Sequence, residues 1–433
     1  MTGDLVDRIS AGEIVVCVVG QGYVGLSLAC ATAATGLTTY GVDQDADRVE
    51  QLAAGRNVVP GVPDVVFAAG HQSGMLRVTT DARCIAEADV VLVCVPTPVI
   101  EHRPDLSHIV SACTMVAQHL TPGTLVILES TTYPGTTEQV VAPILAAGGL
   151  MPGSDVLVAY SPERIDPGNI KYGLRNTPRI VGGMDTRATT AATAFYRLFV
   201  DDVTALSSCR AAEMAKLLEN TFRMVNIALV NELATLSSEQ GIDVWEVIDA
   251  AATKPFGFMP FYPGPGVGGH CIPLDPTYLA WQSRRDTGRA FRLVETAQDI
   301  NAAMPTYVTG RVVDVLNDGG TSVRGARILA LGVTYKPDVG DLRESAAIEV
   351  LSRLVRRGAD VSFHDPFIER IDTHGLSLER SELTTPLVEQ ADAVLLLTPH
   401  SVYDLAALSR QAALLFDARN AVGLPRLQSV VTL

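Results

Sequence analysis

Apolar residues in this chain gather into short unbroken runs that end in glycine, proline or an acid, with longer stretches of helical composition between them. Glu13–Val19 is the first such run. It is β-branched, enters Gly20, and reads as a parallel strand buried on both faces. Leu26–Gly36 has helical composition and a terminal glycine suited to a C-cap, and Thr38–Val42 gives the next strand, ending at Asp43. Asp89–Val95 runs into Pro96-Thr97-Pro98, Thr124–Leu128 into Glu129-Ser-Thr-Thr-Tyr-Pro-Gly135, and Val156–Ala159 into Tyr160-Ser-Pro-Glu163. Strands alternating with helices predict a doubly wound α/β domain.

The last third repeats this grammar. Arg327–Leu331 enters Gly332 as Val15–Val19 enters Gly20, Val361–Asp365 echoes Thr39–Asp43, and Gln390–Pro399 echoes Glu87–Pro96. Between the two copies, Ala211–Gln240 is helical and free of proline and glycine, residues 255–276 form a Gly/Pro-rich loop, and a second helical run covers Thr287–Leu316. The expected architecture is α/β: two Rossmann-like doubly wound domains joined by a central helical domain. The expected division is 1–205, 206–318 and 319–433, with the central helices supplying a homodimer or higher homo-oligomer interface, because a helix apolar on several faces needs partners.

With 433 residues the chain exceeds one ordinary core, and 47% hydrophobic with 19% charged residues describes a well-packed globular protein. A net charge of −15 argues against nucleic acid or an anionic membrane as partner. No apolar run approaches the roughly 18 residues of a membrane span, and Met1–Ser10 is polar and acidic, unlike a targeting segment. The 7 cysteines show neither a CxxC pair nor metal-ligand spacing, so no metal is expected and a reducing cytoplasm fits.

Five constellations carry chemistry. Gly20-x-Gly22-x-x-Gly25 follows a strand and opens a helix, and Asp43 ends the next strand. In that context the glycines admit a pyrophosphate and the acid binds a ribose 2′-hydroxyl, favouring NAD over NADP. Thr97, Ser130, Thr131 and Thr132 stand at strand ends, where they serve either a ligand or helix N-caps. Glu163 directly follows a strand and suits a general base. Glu213, Lys216, Asn220 and Arg223 share one face of the 211–240 helix, whose other faces carry Met214, Leu217, Leu218, Phe222, Met224 and Val225. That stripe is either a solvated face or, because the helix is so apolar, a buried one that meets a polar ligand. Finally, Cys271 lies in Pro263-Gly-Pro-Gly-Val-Gly-Gly-His-Cys-Ile-Pro-Leu-Asp275, either as a structural thiol in a tight turn or as a nucleophile whose thiolate His270 and Lys216 favour.

The segments GQGYVGL, ESTTYPGTT, YSPERIDPG, IVGG, AEMAKLLENTFRMVN, PGPGVGGHCIPLDP, NAAMP, YKPDVGDLRES and DARN, in this order, resemble the UDP-glucose/GDP-mannose dehydrogenase family from Val15 to Asn420. The stretch AATKPFGFMPFYPGPGVGGHCIPLDPTYL is most similar to the branch acting on UDP-N-acetylhexosamines, notably the UDP-N-acetylglucosamine 6-dehydrogenases. The resemblance implies a two-fold oxidation of a nucleotide-diphospho-sugar at C6 by NAD, through a thiohemiacetal and a thioester on Cys271. It implies Lys216 and Asn220 as oxyanion donors, Asp275 and Glu163 as groups handling protons or the attacking water, and Thr131 as a holder of that water. The cofactor set comprises Gly20, Gly22, Tyr23, Val24, Gly25, Asp43, Arg48, Pro96, Thr97 and Thr131. The substrate set comprises Glu163, Lys216, Asn220, Lys254, Gly268, Lys336 and Arg343.

Glucose-specific members carry Lys-Ser-Thr where Glu129-Ser-Thr stands here, which favours the acetamido branch, with UDP- or TDP-glucose as the alternative substrate. Two further readings are a single-step hydroxy-acid dehydrogenase and a non-catalytic nucleotide sensor. The first gives no role to Cys271 or to a second Rossmann-like domain. The second leaves Glu163, Lys216, Asn220, Cys271 and Asp275 without purpose.

Overall fold

The computed structural model describes residues 2–100, 103–166, 169, 171–269 and 271–433, with only the main chain described for residues 2–4 and Cys271. The chain divides into two compact units, Met1–Glu219 with Thr277–Asp286, and Asn220–Pro276 with Thr287–Leu433.

The first unit is built on eight strands: β1 (Val15–Val19), β2 (Thr38–Val42), β3 (Leu76–Thr79), β4 (Val90–Val93), β5 (Leu125–Leu128), β6 (Leu157–Tyr160), β7 (Arg179–Gly183) and β8 (Val203–Leu206). They lie in the order β8-β7-β6-β5-β4-β1-β2-β3. Every neighbouring pair is parallel except β6 and β7. β4 and β5 are apolar and buried at every position, as a sheet covered on both faces requires. Alternate residues feed opposite cores. Val90, Leu92, Leu125 and Ile127 join one cluster, while Val91, Val93, Val126 and Leu128 join the other.

Helix α1 (Thr2–Ala11) buries Leu5 and Ile9 in the first of these cores, so the polar N-terminal segment has an amphipathic inner face. The same core takes Leu28 and Ala29 of α2 (Tyr23–Ala34) and Phe195 and Tyr196 of α3 (Thr186–Tyr196). Helices α4 (Cys209–Glu239) and α6 (Cys271–Thr287) contribute residues to both units, whereas α5 (Val244–Ala252), α7 (Arg292–Asp318) and α8 (Ala346–Arg356) belong to the second. The segment 206–318, expected as a central helical domain, is thus distributed over the two units.

The second unit holds a parallel sheet of β9 (Arg327–Leu331), β10 (Asp360–His364), β11 (Ala393–Leu396), β12 (Leu415–Asp417) and β13 (Val430–Thr432), in the order β10-β9-β11-β12-β13. Met304, Val308, Val312 and Leu316 of α7, with Ile348 and Leu351 of α8, pack on Ile328 and Ala330.

The expected loop over 255–276 ends earlier than its composition suggests, because α6 already begins at Cys271. Pro273 falls in the first turn, where a missing N–H costs nothing, and Pro276 removes a single bond of the ladder. The helical run expected over Thr287–Leu316 is α7, which starts later, at Arg292, because α6 ends at Thr287 and Gly288 follows it at φ +68°. The apolar faces of α4, expected to be buried, are largely outside: Met214, Leu218 and Phe222 are exposed, as are Leu229 and Leu236. The buried face instead carries Glu213, Lys216, Leu217 and Asn220, and Arg223, expected in that stripe, is exposed.

The glycine turn shows how tightly α2 meets the sheet. A Cβ on Gly25 would collide with the carbonyl oxygen of Gly20, and Gly20 itself stands at φ +92° against the carbonyl of Cys94. Both obstacles are main chain and have no rotamer to move. We therefore expect Gly25→Ala to lower stability by about 1–3 kcal/mol in urea unfolding, as overpacking does. An unchanged midpoint would refute this account of the junction.

Candidate active site

At the carboxyl edge of the first sheet, Gly22 caps α2 in an extended conformation, and a Cβ added there meets nothing within 4 Å. The turn is therefore open where Gly20 and Gly25 are closed. Asp43, buried at the end of β2, accepts from the Gln21 main-chain N–H at 2.7 Å and from the Asp45 N–H at 2.9 Å. Arg48 pairs with Asp43 at 3.0 Å and with Asp45 at 3.3 Å. Open N–H groups at a helix start and an oriented acid on the next strand fit a dinucleotide. Tyr23 and Val24 are the first two residues of α2 and are half-buried, while Pro96 is exposed at the same edge.

Ser130 is not a helix cap. Its hydroxyl donates to the Val95 carbonyl at 2.7 Å and accepts from the Val95 N–H at 3.0 Å, stitching together the loops after β4 and β5. Thr97 is buried, and its carbonyl accepts from the Tyr278 hydroxyl. Thr131 is half-buried, and the buried Thr132 hydroxyl meets no hydrogen-bond partner among the described residues. The helical turn that follows is capped by Glu213, which accepts from the N–H groups of Gly135 and Thr137 and from the Thr137 hydroxyl. That buried carboxylate is spent on structure. Burial raises its pKa, against the pull of those hydrogen bonds.

Glu163 stands just past β6. Its Oε1 accepts from the N–H groups of Arg164 and Ile165 at 2.6 and 2.7 Å, and its Oε2 faces Arg179 Nη1 at 3.4 Å. Lys216 Nζ donates to the Glu163 carbonyl at 2.7 Å, so the stripe of α4 reaches this strand end through the main chain. Arg179 and Glu129 were not singled out as site residues from the sequence. Arg179 opens β7, and because β7 runs antiparallel to β6, its first residue lies at the carboxyl edge of β6. There Arg179 pairs with Glu129 and donates to Ser161 Oγ at 2.9 Å, and its guanidinium lies 4.5 Å from the centre of the Tyr196 ring. Glu129 also accepts from the Tyr196 hydroxyl. The available signal was an acid ending a wholly apolar strand, which demands a buried cation.

In the second unit the thiol-bearing loop lies on the loop after β9. Gly269 donates its N–H to the Arg343 carbonyl at 3.0 Å, and a Cβ on Gly268 would sit 2.6 Å from the Glu344 carbonyl and 2.7 Å from Tyr335 Cβ. Lys336, half-buried, and Arg343, in a fork with Asp341, belong to that same supporting loop. Asn220 Nδ2 donates to Asp275 Oδ2 at 2.5 Å, both groups buried. Arg419 of the DARN segment, another group without a role in the sequence reading, packs against Gly264 and donates to the Leu397 carbonyl at 3.3 Å; burial brings its pKa down to about 10, with Asp417 acting the other way. Lys254 joins neither group: it is exposed, 5.1 Å over the Phe256 ring.

The Cys271 side chain and His270 lie outside the described residues, so the expected contacts of the thiolate with His270 and Lys216 are not part of this geometry. Of the other cysteines, five are buried and Cys84 is half-buried; burial pushes the thiols of Cys30 and Cys113 up to about 12. Among the described residues, no group of three or more His, Cys, Asp or Glu side chains is placed to hold a metal ion, and no helix is long and apolar enough to cross a membrane.

A dinucleotide edge in one unit and a glycine loop bearing a thiol in the other define an oxidoreductase of the nucleotide-cofactor class. Residues 14–200 match the NAD binding domain, 210–303 the central domain and 329–423 the UDP binding domain of the UDP-glucose/GDP-mannose dehydrogenase family, and the chain belongs to that family. It is an NAD-dependent nucleotide-sugar dehydrogenase. A UDP-N-acetyl-D-mannosamine dehydrogenase of Methanococcus aeolicus is 35% identical over 90% of this chain and 85% of that protein. An NDP-N-acetyl-D-galactosaminuronic acid dehydrogenase of Ralstonia solanacearum is 36% identical, covering 93% and 95%. The structure of the UDP-D-ManNAc dehydrogenase of Pyrococcus horikoshii superposes with a TM-score of 0.87 at 32% identity, covering 97% of this chain and 99% of that one.

Burial raises the Glu129 carboxyl from 4.5 to about 7, opposed by Arg179 and reinforced by the charge of Glu163. Between those values the folded chain holds a proton that the unfolded chain has released, so this group's contribution to stability is full below 4.5 and lost as pH rises through about 7. We expect the wild type to lose on the order of 3 kcal/mol relative to Glu129→Gln over that interval. Urea midpoints of both proteins at acid and alkaline pH measure it, and parallel pH dependence would sink the assignment.

Proposed function

We propose that the chain oxidises the C6 hydroxyl of a UDP-N-acetylhexosamine to the uronic acid, in two steps joined by a covalent bond to Cys271. The observation that carries this reading is the seating of the Gly268–Gly269 turn on the loop of Tyr335, Lys336 and Arg343, which ties the thiol residue to the UDP binding domain. A sugar nucleotide held through its phosphates by Lys336 and Arg343 would then present its far end to position 271. Bound NAD supplies a hydride acceptor for each oxidation, held by Gly20, Gly22, Gly25, Asp43 and Arg48.

Cys271 opens α6, and the first turn of a helix favours a thiolate. The thiolate adds to the C6 aldehyde, forming a C–S bond while the carbonyl oxygen becomes an alkoxide. Lys216 and Asn220 are the donors for that oxygen; one N–H of each is used, on the Glu163 carbonyl and on Asp275, and an ammonium has three and an amide two. Loss of the second hydride leaves a thioester. Water then attacks the acyl carbon and the thiolate leaves, with Glu163 or Asp275 taking the proton of that water and Thr131 helping to hold it. Lys254, exposed and apart from both groups, has no part in this reading.

The sugar assignment is supported by the names of the relatives, which carry an acetamido group at C2, and by Glu129 in place of lysine. We also infer a homo-oligomer, because Met214, Leu218, Phe222, Leu229 and Leu236 form one exposed apolar stripe along α4.

The wild type should form two NADH per sugar consumed, with kcat/KM about tenfold or more higher for UDP-N-acetylmannosamine or UDP-N-acetylglucosamine than for UDP-glucose or TDP-glucose. Cys271→Ser should make no uronic acid; uronic acid at the wild-type rate would refute the covalent route. Leu218→Glu with Leu229→Glu should shift the sedimenting species to the monomer, and an unchanged assembly would remove α4 from the interface.

A further inference from the structure

The buried cluster at the carboxyl edge of β5, β6 and β7 holds one cation and two carboxylates. The Arg179 side chain is 4% exposed, that of Glu129 0% and that of Glu163 11%. One carboxylate is enough to neutralise a buried guanidinium, and Glu163 is already within reach. A second carboxylate with no direct access to solvent is surplus to that purpose, and its ionisation costs the fold stability, which makes it a poor structural element.

We propose that Glu129 and Arg179 are positioning residues for Glu163, with the Arg179 guanidinium divided between the two carboxylates. The inference rests on the reading of Glu163 as a group that handles the attacking water. Arg179 is fixed on its other sides by Ser161 Oγ at Nε and by the Tyr196 ring beneath its plane. Glu163 Oε1 is fixed by two peptide N–H groups, so the 3.4 Å contact between Oε2 and Arg179 Nη1 is the loose joint of the cluster.

The protonation state of Glu129 sets that joint. Ionised, Glu129 competes for the guanidinium. Protonated, it leaves the Arg179 charge to Glu163, and the Oε2 oxygen is drawn in. The groups facing Glu129 are Arg179 on β7, Tyr196 on α3, Glu163 after β6 and the Cys94 thiol after β4. The Cys94 and Tyr196 groups are raised well above their ordinary values, first by burial and then by the Glu129 charge, so they remain neutral while Glu129 titrates.

The test uses the full-length enzyme with NAD and UDP-N-acetylmannosamine, measuring kcat and KM from roughly pH 6 to pH 8. The wild-type kcat should change by about threefold or more with an inflection near 7, and Glu129→Gln should flatten that inflection while KM stays within about twofold. Arg179→Lys should recover at least about tenfold of the kcat that Arg179→Met loses. Should the methionine variant fail to fold, Glu129→Gln remains decisive, because it removes only a charge. Glu163→Gln separates the two ideas. If it retains wild-type kcat, the reading of Glu163 fails and this inference with it. If it is inactive while Glu129→Gln keeps the wild-type pH profile, the reading of Glu163 stands and the positioning role falls.

Discussion

One antiparallel junction, between β6 and β7, organises the chemistry of the first unit. Had β7 run parallel to β6, Arg179 would sit at the amino edge of the sheet, far from the ends of β5 and β6. Because it runs antiparallel, its first residue meets Glu129, Ser161 and Glu163 at the carboxyl edge. A guanidinium buried in a chain of net charge −15 has no shortage of acids, but only acids at that edge reach it. A buried guanidinium left with no carboxylate is costly, so the strand direction and the presence of an acid at that edge depend on each other. Lys216 joins this arrangement through the Glu163 main chain, which makes the placement of the ammonium depend on the same strand end.

The long helix α4 obeys the same rule in a different form. Its inner face carries three polar groups with specified partners: Glu213 takes the N–H groups at 135 and 137, Lys216 gives to the Glu163 carbonyl, and Asn220 gives to Asp275. Buried polar groups are tolerated when paired, and here they share the inner face with Leu217, Met224 and Val230 while Met214, Leu218, Leu229 and Leu236 face out.

The strand pattern, the repeat and the glycine turn were legible because they are local: β2 and β9 coincide with their expected bounds, and Asp43 lies where a carboxylate after the second strand should. The start of α6 was hidden by Pro273 and Pro276, whose usual meaning is a break and which a first helical turn tolerates. The threonines and serine after β5 carry N-cap chemistry, yet the cap comes from Glu213, distant in sequence and brought in by α4. Arg179 opens a run of apolar residues that gives no local hint of a partner. What escaped the sequence was long-range polar pairing, which leaves no period behind.

The second sheet shows why a shared fold does not carry a shared ligand. Asp365, after β10, accepts from the Val333 N–H at 2.8 Å just as Asp43 accepts from the Gln21 N–H at 2.7 Å, so the carboxylate braces the first turn in both copies. There the likeness ends. Asp43 has a half-exposed arginine as partner, whereas Asp365 is fully buried against the His400 imidazole at 2.9 Å. Thr334 carries a side chain where the first copy has Gly22 open, and the turn is braced further by the Thr334 and Thr398 hydroxyls. With its acid enclosed and its turn filled, this copy has no place for a ribose and pyrophosphate in the manner of the first. The loop so released, held by positive φ at Asp338 and Glu344, is the surface on which Gly268 and Gly269 rest. The turn that is filled in this copy thus supports the thiol-bearing turn.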